Sequence, residues 1–147
     1  MKSTALAILP LLASAAPSHP PQTAHLTFLS SSLQPLYNLS VLANGIPHPS
    51  PDLTSAVARV AAPDYNAAAL CALDFGGQGP PPEHVFVIGE DGHTGQVRIE
   101  PPTAVRAISC EGVCVDNYAR CDGGGRGPRL CCNGYCAASL CRPWDGV

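Results

Sequence analysis

Lysine is almost missing from this chain: Lys2 is the sole one in 147 residues. Beyond residue 15, seven Arg stand against eleven Asp and Glu, a net charge of −4. Binding to nucleic acid is therefore not expected, because neutralising phosphates needs a clustered basic surface. Charged residues make up 13% of the chain and aromatic residues 5%. No stretch approaches the ~20 apolar residues of a membrane span, so no membrane anchor is expected. Several catalytic signatures are also missing. The chain holds no H-E-x-x-H, no G-x-S-x-G and no P-loop. Its acid-bearing pairs, Glu83-His84 and Glu90-Asp91, read as solvated loop charges rather than as an acid–base couple. The length suits one modest domain or two small ones and argues against a large enzyme with a deep cofactor cleft. No catalytic residue, cofactor or metal is expected.

What the chain does have is Cys, Pro and Gly, in numbers 8, 16 and 14. Residues 1–15 read as a secretory signal peptide. Lys2 gives the positive start, residues 5–12 are apolar, and Ala13-Ser14-Ala15 supplies the small residues before cleavage. All eight Cys follow this segment. An even Cys count in a short secreted chain reads as a disulfide framework, which the secretory route would oxidise. A zinc site is disfavoured, because no His follows His93 to complete a Cys/His set in the C-terminal cluster. Ala, Gly, Pro and Arg are abundant, and GC-rich codons for all four explain the shortage of Lys. A sharper reading is a protein that enters a foreign cytosol and avoids ubiquitination, which uses Lys.

Residues 16–24 form a Pro-rich leader, expected to be extended and mobile. Residues 25–112 form a β-rich module. Strand-like segments recur at 25–30, 37–43, 68–75, 85–89, 96–100 and 105–110, and their spacing predicts a small β-sandwich or barrel. Residues 53–62 fit either a strand or a short helix. The clearest hairpin is VFVIGEDGHTGQVRIE, with Asp91-Gly92 at the turn. Leu26, Phe28, Leu39, Val41, Phe86, Ile88, Val97 and Ile99 are the expected core. Asn38-Leu39-Ser40 is the one N-x-[ST] sequon, and alternation points Asn38 outward as a glycosylation site.

Regular alternation stops at residues 111–113, and six Cys then fall within 28 residues. Their order is Cys114-x6-Cys121-x9-Cys131-Cys132-x3-Cys136-x4-Cys141. Six Cys allow fifteen pairings, and spacing alone selects none. The adjacent third and fourth Cys, flanked by single Cys with short loops, resemble an inhibitor cystine knot, or knottin. Asn133-Gly134 also resembles the tight turn common in that family. The resemblance implies Cys114–Cys132, Cys121–Cys136 and Cys131–Cys141 in a module spanning 113–147. Cys71 and Cys110 remain. They either staple two strands of the β module or pair with the C-terminal cluster. Without bridges, a segment of about 30 residues cannot bury enough apolar surface to fold, and three disulfides can replace the missing core.

Two surface features are candidate binding residues. Residues 122–130, DGGGRGPRL, are the longest loop between Cys of the knot and carry Arg126 and Arg129. A loop fixed at both ends loses less freedom on binding. Tyr118, Tyr135 and Trp144 lie within the last 30 residues and would form either a sugar-binding platform or the cover of a tiny core. The whole chain resembles fungal small secreted cysteine-rich proteins of the effector type. That resemblance implies an extracellular monomer that binds a host or competitor protein. The alternatives are a knottin-type protease inhibitor or toxin acting through Arg126 or Arg129, and a binder of cell-wall polysaccharide.

Overall fold

The computed structural model describes residues 20–77, 79–123 and 129–144. The signal-peptide segment and Arg126 lie outside the described residues. The architecture is mostly β, with several small sheets and one single-turn helix. Among the described residues no helix is long and apolar enough to cross a membrane.

The larger sheet has five strands: β1 (Thr23–Leu29), β2 (Pro35–Leu42), β4 (Val57–Ala61), β6 (Glu83–Ile88) and β7 (Gly95–Thr103). Their order is β2-β1-β4-β7-β6, every neighbouring pair antiparallel. The sheet is open, with β2 and β6 as free edges, so the barrel alternative is not realised. β1 shows why these residues pair. Ala24, Leu26 and Phe28 are buried on one face, while Thr23, His25 and Thr27 alternate on the other. A second sheet has the order β3-β8-β5, formed by β3 (His48–Pro49), β5 (Cys71–Asp74) and β8 (Ala107–Cys110). One contiguous core joins the two sheets. Leu26, Phe28, Val60 and Ile99 of the first share it with Ile108 and Cys110 of the second.

Three local expectations change, and one open alternative is resolved. The leader is shorter than 16–24, because Thr23 begins β1 and Ala24 is fully buried. Residues 68–75 are not one strand. Ala67–Leu70 form the helical turn α1, capped by Asn66 Oδ1 accepting from Ala69 N at 3.2 Å, and β5 starts at Cys71. Ala-Ala-Ala-Leu has high helix propensity, and the Asn cap outweighs the apolar pattern there. Within 53–62, the strand alternative is realised as β4. The turn before it is closed by Asp52 Oδ1, which accepts from Thr54 N at 2.9 Å and Ser55 N at 3.1 Å. Pro51-Asp52, which could bound a helix, instead forms an Asx turn leading into a strand. Finally, Phe86 and Ile88 are 43% and 42% exposed instead of forming core. They sit on edge strand β6, outside the main core cluster.

The C-terminal region holds β9 (Cys114–Val115), parallel to β10 (Leu130–Cys131), and the hairpin of β11 (Tyr135–Ala137) with β12 (Leu140–Arg142). Four disulfides are present: Cys71–Cys110, Cys114–Cys132, Cys121–Cys136 and Cys131–Cys141. The last three pair in the order that the knottin resemblance implies. Cys71 and Cys110 face each other across β5 and β8, so that bridge staples neighbouring strands of one sheet.

No bridge crosses residues 111–113, but packing does. Cys114 and Cys132 belong to the main core. Gln22 pairs with the Cys114 backbone in both directions, Nε2 donating to its carbonyl and Oε1 accepting from its N–H, each at 2.9 Å. Tyr65 Oη donates to the Gly112 carbonyl at 3.0 Å, and Asn66 Nδ2 to that of Cys131 at 3.0 Å.

Candidate functional site

The six C-terminal Cys cross-link this region from within, five of them buried. A side chain displayed there is held by bridged backbone on more than one side. The Cys121 carbonyl accepts from Arg129 N at 2.8 Å, and the Cys141 carbonyl accepts from Tyr118 N at 2.7 Å. Arg129 is exposed, and Tyr118 is 66% exposed with its backbone at a φ of 68°. Two of the expected binding residues are thus presented on backbone that is hydrogen-bonded to disulfide-bonded Cys.

The sequence reading missed their charged neighbour. Arg120 grips Asp122 through two bonds, Nε to Oδ1 at 3.2 Å and Nη2 to Oδ2 at 2.6 Å. The guanidinium holds the Asp122 carboxyl below the usual carboxylate range, and Asp122 in turn raises Arg120. Both flank Cys121, so the Arg129–Cys121 backbone bond sets this ion pair beside Arg129. The spacing Arg-Cys-Asp was visible in sequence. That both side chains would swing to one side of Cys121 was not.

Tyr135 and Trp144 pack with each other, and Trp144 packs on Phe86. Trp144 is half-buried, its ring 5.0 Å from Phe86 and 5.9 Å from Tyr135, at interplanar angles of 44° and 31°. Its Nε1 donates to Asn133 Oδ1 at 3.2 Å, and that oxygen also accepts from Gly95 N at 2.7 Å. Trp144 therefore lies over the β6 end of the larger sheet. It makes no ring contact with Tyr118, and the three aromatics do not form one flat platform. Asn133-Gly134 has its own constraint: a Cβ on Gly134 would run into the Arg142 carbonyl.

The sulfurs of Cys121, Cys131 and Cys141 lie within 4.8 Å of one another. All three are in bridges, and no cysteine is free, so this gathering offers no thiolate to a metal. Asn38 is exposed on edge strand β2. Its Oδ1 accepts from Thr27 Oγ1 at 2.8 Å, which leaves Nδ2, the atom a glycan would take, pointing away from that bond. His25 Nδ1 pairs with Asp64 Oδ2 at 2.5 Å, and His25 stands opposite Ser40 in the β1–β2 register. No hydrogen bond joins Ser40 to the ring, and the His25 side chain is 62% exposed. This is a surface hydrogen-bonded pair without the nucleophile contact of a catalytic triad. The chain matches no family model, no curated protein and no solved structure.

Proposed function

We propose that this chain is a secreted, non-catalytic binding protein of the small cysteine-rich effector type, with a knottin-like C-terminal region that recognises a host or competitor protein. The apolar, signal-like start and four disulfides support an extracellular life. The observation that carries the reading is the display of Arg129 and Tyr118, both exposed and both hydrogen-bonded through the backbone to bridged Cys. Arg and Tyr are enriched at binding hot spots, and rigid display reduces the entropy lost on association. Arg126, on the same loop, is included in the proposed contact surface. Asn38, exposed on edge strand β2, is proposed to carry a glycan.

The test is affinity capture from host extracellular fluid and host extract, with mass spectrometry of retained proteins. Arg129→Ala combined with Tyr118→Asn should keep the disulfide map and lose the partner, by tenfold or more in affinity. Asn tolerates the positive φ at this position. Arg98→Ala with Arg106→Ala is the matched control on the sheets. If the control pair abolishes binding and the first pair does not, the contact surface is on the sheets.

The exposed Arg129 also supports a second reading, inhibition of a trypsin-like protease through that side chain. Inhibition assays with trypsin separate the two. The polysaccharide reading loses support from the tilted, half-buried Trp144, and pull-down on chitin or cellulose tests it.

A further inference from the structure

Strand β6 is the edge of the larger sheet, with β7 as its one neighbour. Gly89 N donates to the Thr94 carbonyl at 2.8 Å, which sets the phase of the ladder. Alternation then turns Val87, Val85 and Glu83 toward β7, and turns the N–H and C=O groups of Ile88, Phe86 and His84 to the open side. Among the described residues nothing bonds those outward groups. Natural edges are usually blunted by Pro, Lys, a bulge or a cover. The other edge follows that rule: β2 begins at Pro35 and carries polar Asn38 and Ser40. Within β6 there is no Pro, Lys or bulge, and Trp144 covers only part of the Phe86 ring, which stays 43% exposed. Val85-Phe86-Val87-Ile88 are four strong strand formers in a row, with Phe86 and Ile88 about two-fifths exposed.

One end of this edge is acidic. Glu83 stands directly opposite Glu100 across the β6–β7 ladder, an unfavourable pairing. Arg98 reaches Glu100 at 3.6 Å, and Glu83 has no ion-pair partner among the described residues. Both carboxylates, with Asp74, line a groove of about 600 Å³ whose apolar wall includes Phe75 and Pro82. A long cationic side chain suits such a groove, its stem on the apolar wall and its head among the carboxylates.

We propose that β6 is a docking edge for an extended segment of a partner protein, apolar at alternate positions and carrying Arg or Lys at the Glu83 end. The segment would add a sixth strand, its backbone completing the outward groups of His84, Phe86 and Ile88. A second copy of this chain is the poorer occupant. Antiparallel pairing of β6 with itself about Phe86 sets Glu83 beside the Gly89-Glu90 corner of the copy, which adds a carboxylate where a cation is needed. This surface uses none of the residues of the proposed Arg129–Tyr118 contact, so it stands or falls independently of the reading above.

The probe is the peptide Arg-Thr-Val-Thr-Val-Thr-Arg, followed by fluorescence anisotropy against the full secreted chain. A version with Glu at both ends is the charge control. Two versions N-methylated on alternate residues block one peptide edge or the other. The Arg-ended peptide should bind at least tenfold more tightly than the Glu-ended one. One N-methylated version should lose tenfold or more and the other should not. Glu83→Lys should reverse the preference for Arg over Glu. Ile88→Pro removes an outward N–H but no bond to β7, and should weaken binding at least tenfold with an unchanged disulfide map. If Ile88→Pro does not fold, the N-methyl pair and Glu83→Lys decide alone. Equal affinity for all peptides, or no binding at millimolar concentration, overturns the proposal. So does a dimer in sedimentation that Glu83→Lys strengthens, because the occupant is then a second copy.

Discussion

At the residue scale, the chain places several side chains where their chemistry is strained or tightly held. The β11–β12 turn is two residues long, and both Ala138 and Ser139 sit at positive φ, 49° and 67°. A primed hairpin turn demands that backbone and favours Asn-Gly. Ala and Ser each give up roughly 1 kcal/mol or more there. Ala138→Asn with Ser139→Gly should therefore stabilise the protein, seen as a higher denaturation midpoint with disulfides intact. A lower midpoint would mean that the Ser139 side chain, which helps to lower the Asp122 carboxyl, outweighs the relief.

Asp91 gives a pH prediction at the same scale. Hydrogen bonds from the Thr94 hydroxyl, then from the Thr94 and His93 backbone, lower its carboxyl from 3.8 to about 2. A carboxyl lowered on folding stabilises the native state above its unfolded pKa, and that contribution disappears as pH falls through the folded value. Stability should therefore decline between about pH 4 and pH 2 in part through this turn. Asp91→Asn should lower the thermal midpoint at pH 6 and flatten its dependence over that acid range. An unchanged acid slope in the variant would place the effect on other carboxylates, such as Asp52 and Asp122, which are lowered too.

Among elements, the informative junction is between the N-terminal strand and the Cys-rich region. Gln22, one residue before β1, copies a strand partner with its side-chain amide by bonding both backbone groups of Cys114. Gln22→Ala leaves two part-buried backbone groups to find water, at a cost of about 1–3 kcal/mol. Hydrogen exchange should speed up at Cys114 and along β9, while β7, paired on both sides, stays protected. No change at Cys114 would mean that the other contacts across the junction, Tyr65 to Gly112 and Asn66 to Cys131, hold it without Gln22.

For the whole molecule, the bridges differ in what they hold. Cys71–Cys110 links strands that already pair within one sheet. Cys114–Cys132 is part of the main core and also closes the Cys-rich region, which has little apolar surface of its own beyond Val115. Replacing Cys114 and Cys132 by Ala should cost more than replacing Cys71 and Cys110. The difference should show in secretion yield and protease resistance, with the first pair losing about 2–5 kcal/mol and much of the region's order. Equal tolerance would argue that packing against the sheets, not the bridge, orders residues 113–144.

The sequence by itself determined the class of this protein. Alternating apolar residues in β1, β2 and β7 specify half-buried strands, because the side-chain period of a strand is two and only one face meets the core. Asp91-Gly92 placed its hairpin turn, and the eight Cys with so little apolar material after residue 113 called for cross-links. The tertiary structure decided what periodicity cannot encode. Phe86 and Ile88 carry a core pattern yet lie at an edge, because strand order, not strand sequence, says which strand is last. Trp144 became a cover over Phe86, and Arg120 and Asp122 closed beside Arg129, because contacts between distant segments arise only once the chain has folded back on itself. For the same reason no rule of spacing foresaw that Gln22 would complete the Cys114 backbone across 92 residues of chain.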